Sequence, residues 1–195
     1  MMDPIEVVAA IFGFLCVVLT IYRSIWCWPT GLVQVFLYIY VFFGAKLYSD
    51  MILHIIYVFM QIYGWYHWRS GAAEKELPIT TMGRWFPISI LLGLAVTFFW
   101  GLGMERWTDA ALPYADAFTT VMSLIAQWLL ARKKLESWIF WIAVDVVAVF
   151  VYAYRGLQPT TILYAVFLGL AVAGLLQGLK VWSASQAEAD QTKRF

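Results

Sequence analysis

Charge is scarce in this chain of 195 residues: 13% are Asp, Glu, Lys or Arg, while 63% are hydrophobic and the mean hydropathy is +0.77. A soluble domain carries about a quarter charged residues. A soluble catalytic domain is therefore excluded, and nearly the whole length belongs in a membrane. Net charge is +1, which directs the chain to neither nucleic acid nor an acidic partner. Cysteine is as sparse. Cys16 and Cys27 lie on either side of one helix end and match no metal or disulfide spacing; they read as small apolar filler. No phosphate-cradling loop or metal-ligand spacing occurs, so no cofactor is expected. The opening "MMDPIEVVAA" lacks a cationic segment and a cleavage site. It reads as the start of a retained helix rather than a removed signal.

What the chain does have is long apolar runs. A membrane helix needs about 20 mostly apolar residues. Seven stretches qualify: Pro4–Tyr22, Trp28–Phe43, Leu47–Trp68, Trp85–Leu102, Leu112–Ala131, Ser137–Tyr154 and Pro159–Trp182. At the start of the second, "WPTG" puts Pro29 in the first turn, where a missing N–H is tolerated. The tail "SASQAEADQTKRF" reads as a frayed, solvated end. Lys and Arg set the orientation. With the N-terminus outside, the inner segments hold Arg23, Arg69, Lys75, Arg84, Arg132, Lys133, Lys134, Lys180, Lys193 and Arg194. The outer segments hold Lys46, Arg106 and Arg155. Ten against three predicts an outer N-terminus and a cytoplasmic C-terminus, and an odd number of spans agrees.

A shift of 110 positions lines up two halves. Trp28 falls on Trp138, Val41 on Val151, Leu47 on Leu157, Ile52 on Ile162, Leu53 on Leu163, Gly64 on Gly174 and Tyr57 on Phe167. At a shift of 109, Pro4 meets Pro113 and Arg23 meets Arg132. The expected organisation is a first three-helix repeat over 1–70 and a linker with the fourth helix over 71–110. A second three-helix repeat over 111–182 and a polar cytoplasmic tail over 183–195 follow. Two copies of an odd bundle share one orientation only when an odd number of spans separates them, and the fourth span supplies it. Parallel repeats of this kind belong to one class of transporter, with substrate near the midplane at the repeat interface. The fold expected is an all-α integral membrane protein of seven transmembrane helices in a parallel 3+1+3 repeat.

Within "ESWIFWIAVDVVAVF" stands a carboxylate, Asp145. An acid at the bilayer centre costs about 2.5–3.5 kcal/mol on insertion scales. Asp145 lies about 12 Å along its helix from Ser137 at 1.5 Å per residue, near mid-depth in a core of about 30 Å. Trp141 and Trp138 precede it by four and seven residues and share its face; Tyr152 extends that face. The third span has its own stripe: His54, Tyr57, Gln61, Gly64 and Trp68, with Trp65 four residues after Gln61. The second span presents Gln34 and Tyr38, and the fifth Thr120, Ser123 and Gln127. Polar groups in lipid need partners, and a wet central cavity would supply them. Simpler roles compete. Trp68, Trp107 and Trp182 suit the interfacial aromatic belt. Thr120 and Ser123 suit bonds to their own backbone. Gln61 and His54 also suit helix–helix bonding worth about 0.6 kcal/mol. "GLLQG", from Gly174 to Gly178, suits close helix packing.

The segment "CWPTGLVQVFLYIYVFFGAKLYSDMILHIIYVFMQIYGWYHW" resembles the first half of the PnuC family of vitamin transporters. The segment "ESWIFWIAVDVVAVFVYAYRGLQPTTILYAVFLGLAVAGLLQGLKVW" resembles its second-half signature, through Glu136, Trp138, Trp141, Asp145, Tyr152 and Gly156–Leu157. About three quarters of the chain is covered; the linker helix carries none of it. The resemblance implies uptake of nicotinamide riboside across a bacterial inner membrane by facilitated diffusion. It also implies kinship with the SWEET sugar carriers, a homotrimer, and a cytosolic riboside kinase that traps the product. Many members have Asn where this chain has Asp145, and the last turn, "GLLQGLKVW", departs from a more usual aromatic after the Gly.

Nicotinamide riboside carries a pyridinium cation, a ribose and a carboxamide. Aromatic faces attract a desolvated cation by up to about 2 kcal/mol; Trp141, Trp138 and Tyr57 are the candidates. Gln61, Gln34 and Tyr38 suit the hydroxyls or carboxamide, because amides both donate and accept, and His54 and Trp65 complete the candidate set. Asp145 either pairs with the substrate or couples protons. Thiamine and riboflavin remain alternative substrates, and a proton-coupled carrier an alternative mechanism. A light-sensing seven-helix protein needs a lysine midway along its last helix, whereas Lys180 lies at the inner end. An enzyme needs paired catalytic groups, and His54 and Asp145 have no nucleophile beside them. The chain reads as a carrier and not an enzyme.

Overall fold

The computed structural model describes residues 4–44, 48–71, 78–108, 111–154, 156 and 158–192. Lys46, Lys75, Arg155, Lys193 and Arg194 of the charge count lie outside the described residues, as does the Leu47–Leu157 pair. Seven helices are found among those described: α1 (Pro4–Ile21), α2 (Cys27–Gly44), α3 (Tyr48–Gly71), α4 (Trp85–Trp107), α5 (Pro113–Ala131), α6 (Ser137–Tyr154) and α7 (Gln158–Thr192). All seven predicted stretches are helical, with ends shifted by a few residues. The exception is α7, which continues ten residues past Trp182 where a frayed end was expected. The reason is local. Ala and Gln in the tail are good helix formers, and Ser183 and Ser185 donate to the carbonyls of Lys180 and Trp182 at 2.9 and 2.8 Å.

Among the described residues, five helices are long and apolar enough to cross a membrane. The other two, α3 and α5, carry the polar stripes of His54 and Gln61 and of Thr120, Ser123 and Gln127. Many large apolar side chains point outward, among them Ile11, Phe36, Phe59, Leu91, Phe99 and Phe150. In water this would be an aggregating surface; in lipid it is the natural exterior. Helix contacts there draw on close van der Waals packing rather than on the hydrophobic effect.

The chain divides into two compact units, Met1–Pro78 and Ile79–Phe195. In the first, α1 packs on α2 and α2 on α3. Here α1 ends in a left-handed residue, Arg23, with φ 57°. The Arg23 N–H bonds the Thr20 carbonyl and the Ser24 N–H bonds the Leu19 carbonyl, both at 2.9 Å. This is the paired-bond helix stop usually made by glycine. The chain re-enters helix at once, with the Trp28 N–H on the Ile25 carbonyl.

In the second unit, α4 packs on α5, α5 on α6 and α6 on α7. Its core is Met122, Ala126 and Leu129 of α5 with Phe140 and Val144 of α6, flanked by Phe86 and Ile90 of α4. Pro113 starts α5 at its first position, where its fixed φ suits a helix. The α5 helix stops at Lys133, φ 51°. There the Lys133 and Lys134 N–H groups bond the carbonyls of Leu130 and Leu129 at 3.0 and 2.9 Å. Residues 80–82 then run parallel to 133–136. The Thr80 N–H donates to Lys133, and the Leu135 N–H donates to Thr80, at 3.1 and 3.0 Å. The Lys134 Nζ reaches the Thr81 carbonyl at 3.1 Å. The entrance to α4 is thereby stitched to the turn that precedes α6.

Candidate functional site

In the first unit the candidate residues lie along facing sides of α2 and α3. Phe42 and Tyr38 of α2 and His54 and Tyr57 of α3 form one ring cluster. Phe42 meets His54 edge-on at 4.9 Å, and Tyr38–His54 and His54–Tyr57 are each 5.6 Å apart. Tyr38, His54 and Tyr57 are all half-buried. Deeper in the unit are two amides. The Gln34 carboxamide lies over Gly13, where a Cβ would come within 2.8 Å of its nitrogen. Gln61 is buried and lies over Gly31, leaving no room for a Cβ there. Thr20, Thr30 and Gln61 surround the Cys16 thiol, whose Sγ donates to the Cys27 carbonyl at 3.2 Å. The two cysteines are not joined in a disulfide. Glycine on two helices thus makes the space in which two amides are held.

Two tryptophans behave differently from expectation. Trp68, expected in the aromatic belt, is 6% exposed and meets Trp28 edge-on at 5.2 Å and 83°. Trp28 itself is almost fully buried, its six-membered ring lying over Gly64. Burial between α2 and α3 wins because the missing Cβ of Gly64 opens a slot for one indole and the second closes it. Trp65, by contrast, is 36% exposed, although it follows Gln61 by four residues on the same helix. Trp107 is exposed and Trp182 half-buried, as belt residues are.

In the second unit Asp145 is 4% exposed. Among the described residues no hydrogen bond or ion pair reaches it. Its stripe on α6 is marked by two contacts with α7. On one side of Asp145, Trp138 lies over Gly174, where a Cβ would come within 2.6 Å of the indole. On the other, Tyr152 stacks on Tyr164 at 5.1 Å and 22°, and Phe167 meets Tyr164 edge-on at 6.1 Å. Trp141 is half-buried and packs against the α5–α6 core. Gly178 meets Leu135, so "GLLQG" does serve close packing. On α5, Ser123 is buried and its Oγ donates to the Thr120 carbonyl at 3.0 Å, the backbone role expected of it. Gln127 is buried on the same helix.

Sequence reasoning missed what Glu136 does. It is buried; one carboxylate oxygen accepts the Met82 N–H at 2.6 Å, and the other has no partner among the described residues. The partners are 54 positions apart, and no local pattern announces such a bond.

A buried acid in a long apolar helix, with glycine-seated indoles and amides held between helices, suits one class: a multi-pass α-helical membrane transporter. The chain belongs to the nicotinamide mononucleotide transporter family, which it matches over residues 3–183. It is 27% identical over 211 residues to the nicotinamide riboside transporter PnuC of Escherichia coli K12, covering 94% of this chain and 87% of that one. It is 31% identical over 191 residues to PnuC of Neisseria mucosa, covering 89% and 71%. It is also 24% identical over 176 residues to the riboflavin/roseoflavin transporter RibM of Streptomyces davaonensis, covering 87% and 82%. A crystal structure of the vitamin B3 transporter PnuC superposes with a TM-score of 0.75 at 27% identity, over 92% of this chain and 82% of that one. The family is one of membrane transporters and not of enzymes.

Proposed function

We propose that this chain carries nicotinamide riboside across a bacterial inner membrane by facilitated diffusion with alternating access. The observation that carries the reading is the near-complete span of its likeness to PnuC proteins, in sequence and in fold. Asp145 is the proposed counter-charge to the pyridinium ring. Trp141, Trp138, Tyr57 and Trp65 supply aromatic faces, and Gln61, Gln34, Tyr38 and His54 supply polar contacts. Asp145 without a protein partner supports its role: a buried charge needs pairing, and a cationic substrate provides it. Trp138 also seats α6 on α7, through its contact with Gly174. The resemblance further supports a homotrimer and a cytosolic riboside kinase that consumes the product, with the N-terminus outside and the C-terminus inside.

We also infer a parallel 3+1+3, SWEET-like arrangement, with repeats over 1–70 and 111–182, a linker over 71–110 and a cytoplasmic tail over 183–195. Matching detail at a shift of 110 supports it. Trp28 on Gly64 recurs as Trp138 on Gly174. The ring series Phe42–His54–Tyr57 recurs as Tyr152–Tyr164–Phe167. The left-handed stop at Arg23 recurs at Lys133, one residue beyond the Arg132 that a shift of 109 pairs with it.

A second reading, riboflavin transport, is favoured by the likeness to RibM. Uptake of labelled nicotinamide riboside into proteoliposomes, with unlabelled riboside, riboflavin and thiamine as competitors, decides between them. Nicotinamide riboside is expected to compete best. Stronger competition by either other vitamin would overturn the assignment.

A further inference from the structure

We propose that the α4–α5 end of the second unit is a binding site for the phosphate of an anionic membrane lipid, formed by Arg84 and Arg132. The site does not depend on which vitamin is carried. Arg84 precedes α4, and its guanidinium carbon lies 5.5 Å from the centre of the Trp85 ring. Arg132 follows α5, and its guanidinium carbon lies 4.8 Å from the centre of the Trp128 ring. The two helices pack on each other. The parallel stitch of 80–82 with 133–136 brings the start of α4 and the end of α5 to one end of the unit.

Two other charges there, Lys134 and Glu136, are already engaged. The Lys134 Nζ is on the Thr81 carbonyl, and Glu136 is buried on the Met82 N–H. Glu136 therefore does not neutralise the arginines. Both arginines are exposed, and among the described residues neither meets a carboxylate. The positive-inside bias accounts for cations at this end, but not for two arginines each seated on an exposed indole. A guanidinium stacked on a ring keeps its N–H edge free, and that edge fits two phosphate oxygens. The ligand is a lipid and not a soluble anion because Trp85 and Trp128 are themselves exposed, at the start of the apolar α4 and in the last turn of α5 packed against it. An indole there sits at headgroup level, beside the phosphates.

Native mass spectrometry of the full-length protein tests the site, with short-chain phosphatidylglycerol, phosphatidylcholine and inorganic phosphate as probes. Phosphatidylglycerol adducts are expected on the wild type. They should fall roughly twenty-five-fold in the double variant Arg84→Gln/Arg132→Gln, from about fivefold for each cation near an anionic surface. Lys180→Gln, on the exposed side of α7, should retain them. Equal retention in the double variant, an equal loss in Lys180→Gln, or displacement of the lipid by millimolar inorganic phosphate would each overturn the proposal. If the glutamine pair does not fold, Arg84→Lys/Arg132→Lys decides. It keeps the charge and loses the two-point grip, so undiminished retention counts against the site.

Discussion

Asp145 is the residue on which the proposed chemistry turns. It was legible in the sequence because an acid interrupts a run of apolar residues, and the cost of placing it in lipid demands an answer. Its surroundings explain how it survives: it is inside the unit, with indole and phenol contacts before and after it on the same stripe. Asp145→Asn keeps the shape and removes the charge. It should express and fold as the wild type does and weaken binding of a cationic riboside by about tenfold, the scale of one charge-assisted contact. Titration of the purified variant beside the wild type checks this; unchanged affinity would remove Asp145 from the substrate. Trp65 and Trp68 show what spacing alone conceals. Both sit on the α3 stripe near its end, yet one is half-open and the other is buried by Trp28. Which indole turns inward depends on the glycine opposite, a fact about the partner helix. Glu136 was legible as part of a signature but not as the acceptor for Met82, since its partner is remote in sequence.

At the scale of helices, hydrophobic run length gave the seven elements, because lipid permits few other backbone structures. The end of α7 was not legible from polarity, because small and polar residues extend a helix readily once one is started. Packing between helices rests on glycine. Gly64→Ala would drive a methyl into the Trp28 ring, and Gly174→Ala into Trp138. Overpacking of this kind costs about 1–3 kcal/mol. Each variant should lower the melting temperature of the detergent-solubilised protein. An alanine at Gly44, which has nothing within 4 Å of its Cβ position, should leave it unchanged. Equal effects at all three positions would show that the slots do not hold α2 on α3 or α6 on α7.

For the whole molecule, facilitated diffusion has a plain signature. Vesicles loaded with unlabelled nicotinamide riboside should accumulate labelled substrate transiently, and an imposed pH gradient should not alter the amplitude. Accumulation that follows the pH gradient instead would assign Asp145 to proton coupling.

The stops at Arg23 and Lys133 carry a mechanical consequence. A side chain in the left-handed region costs about 1 kcal/mol relative to glycine, and each corner is cross-braced by two backbone hydrogen bonds. Such a corner behaves as a bracket rather than a hinge. A swing of α2 carries α1 with it, and a swing of α6 carries α5. The joints that flex during a transport cycle must therefore lie elsewhere along the chain.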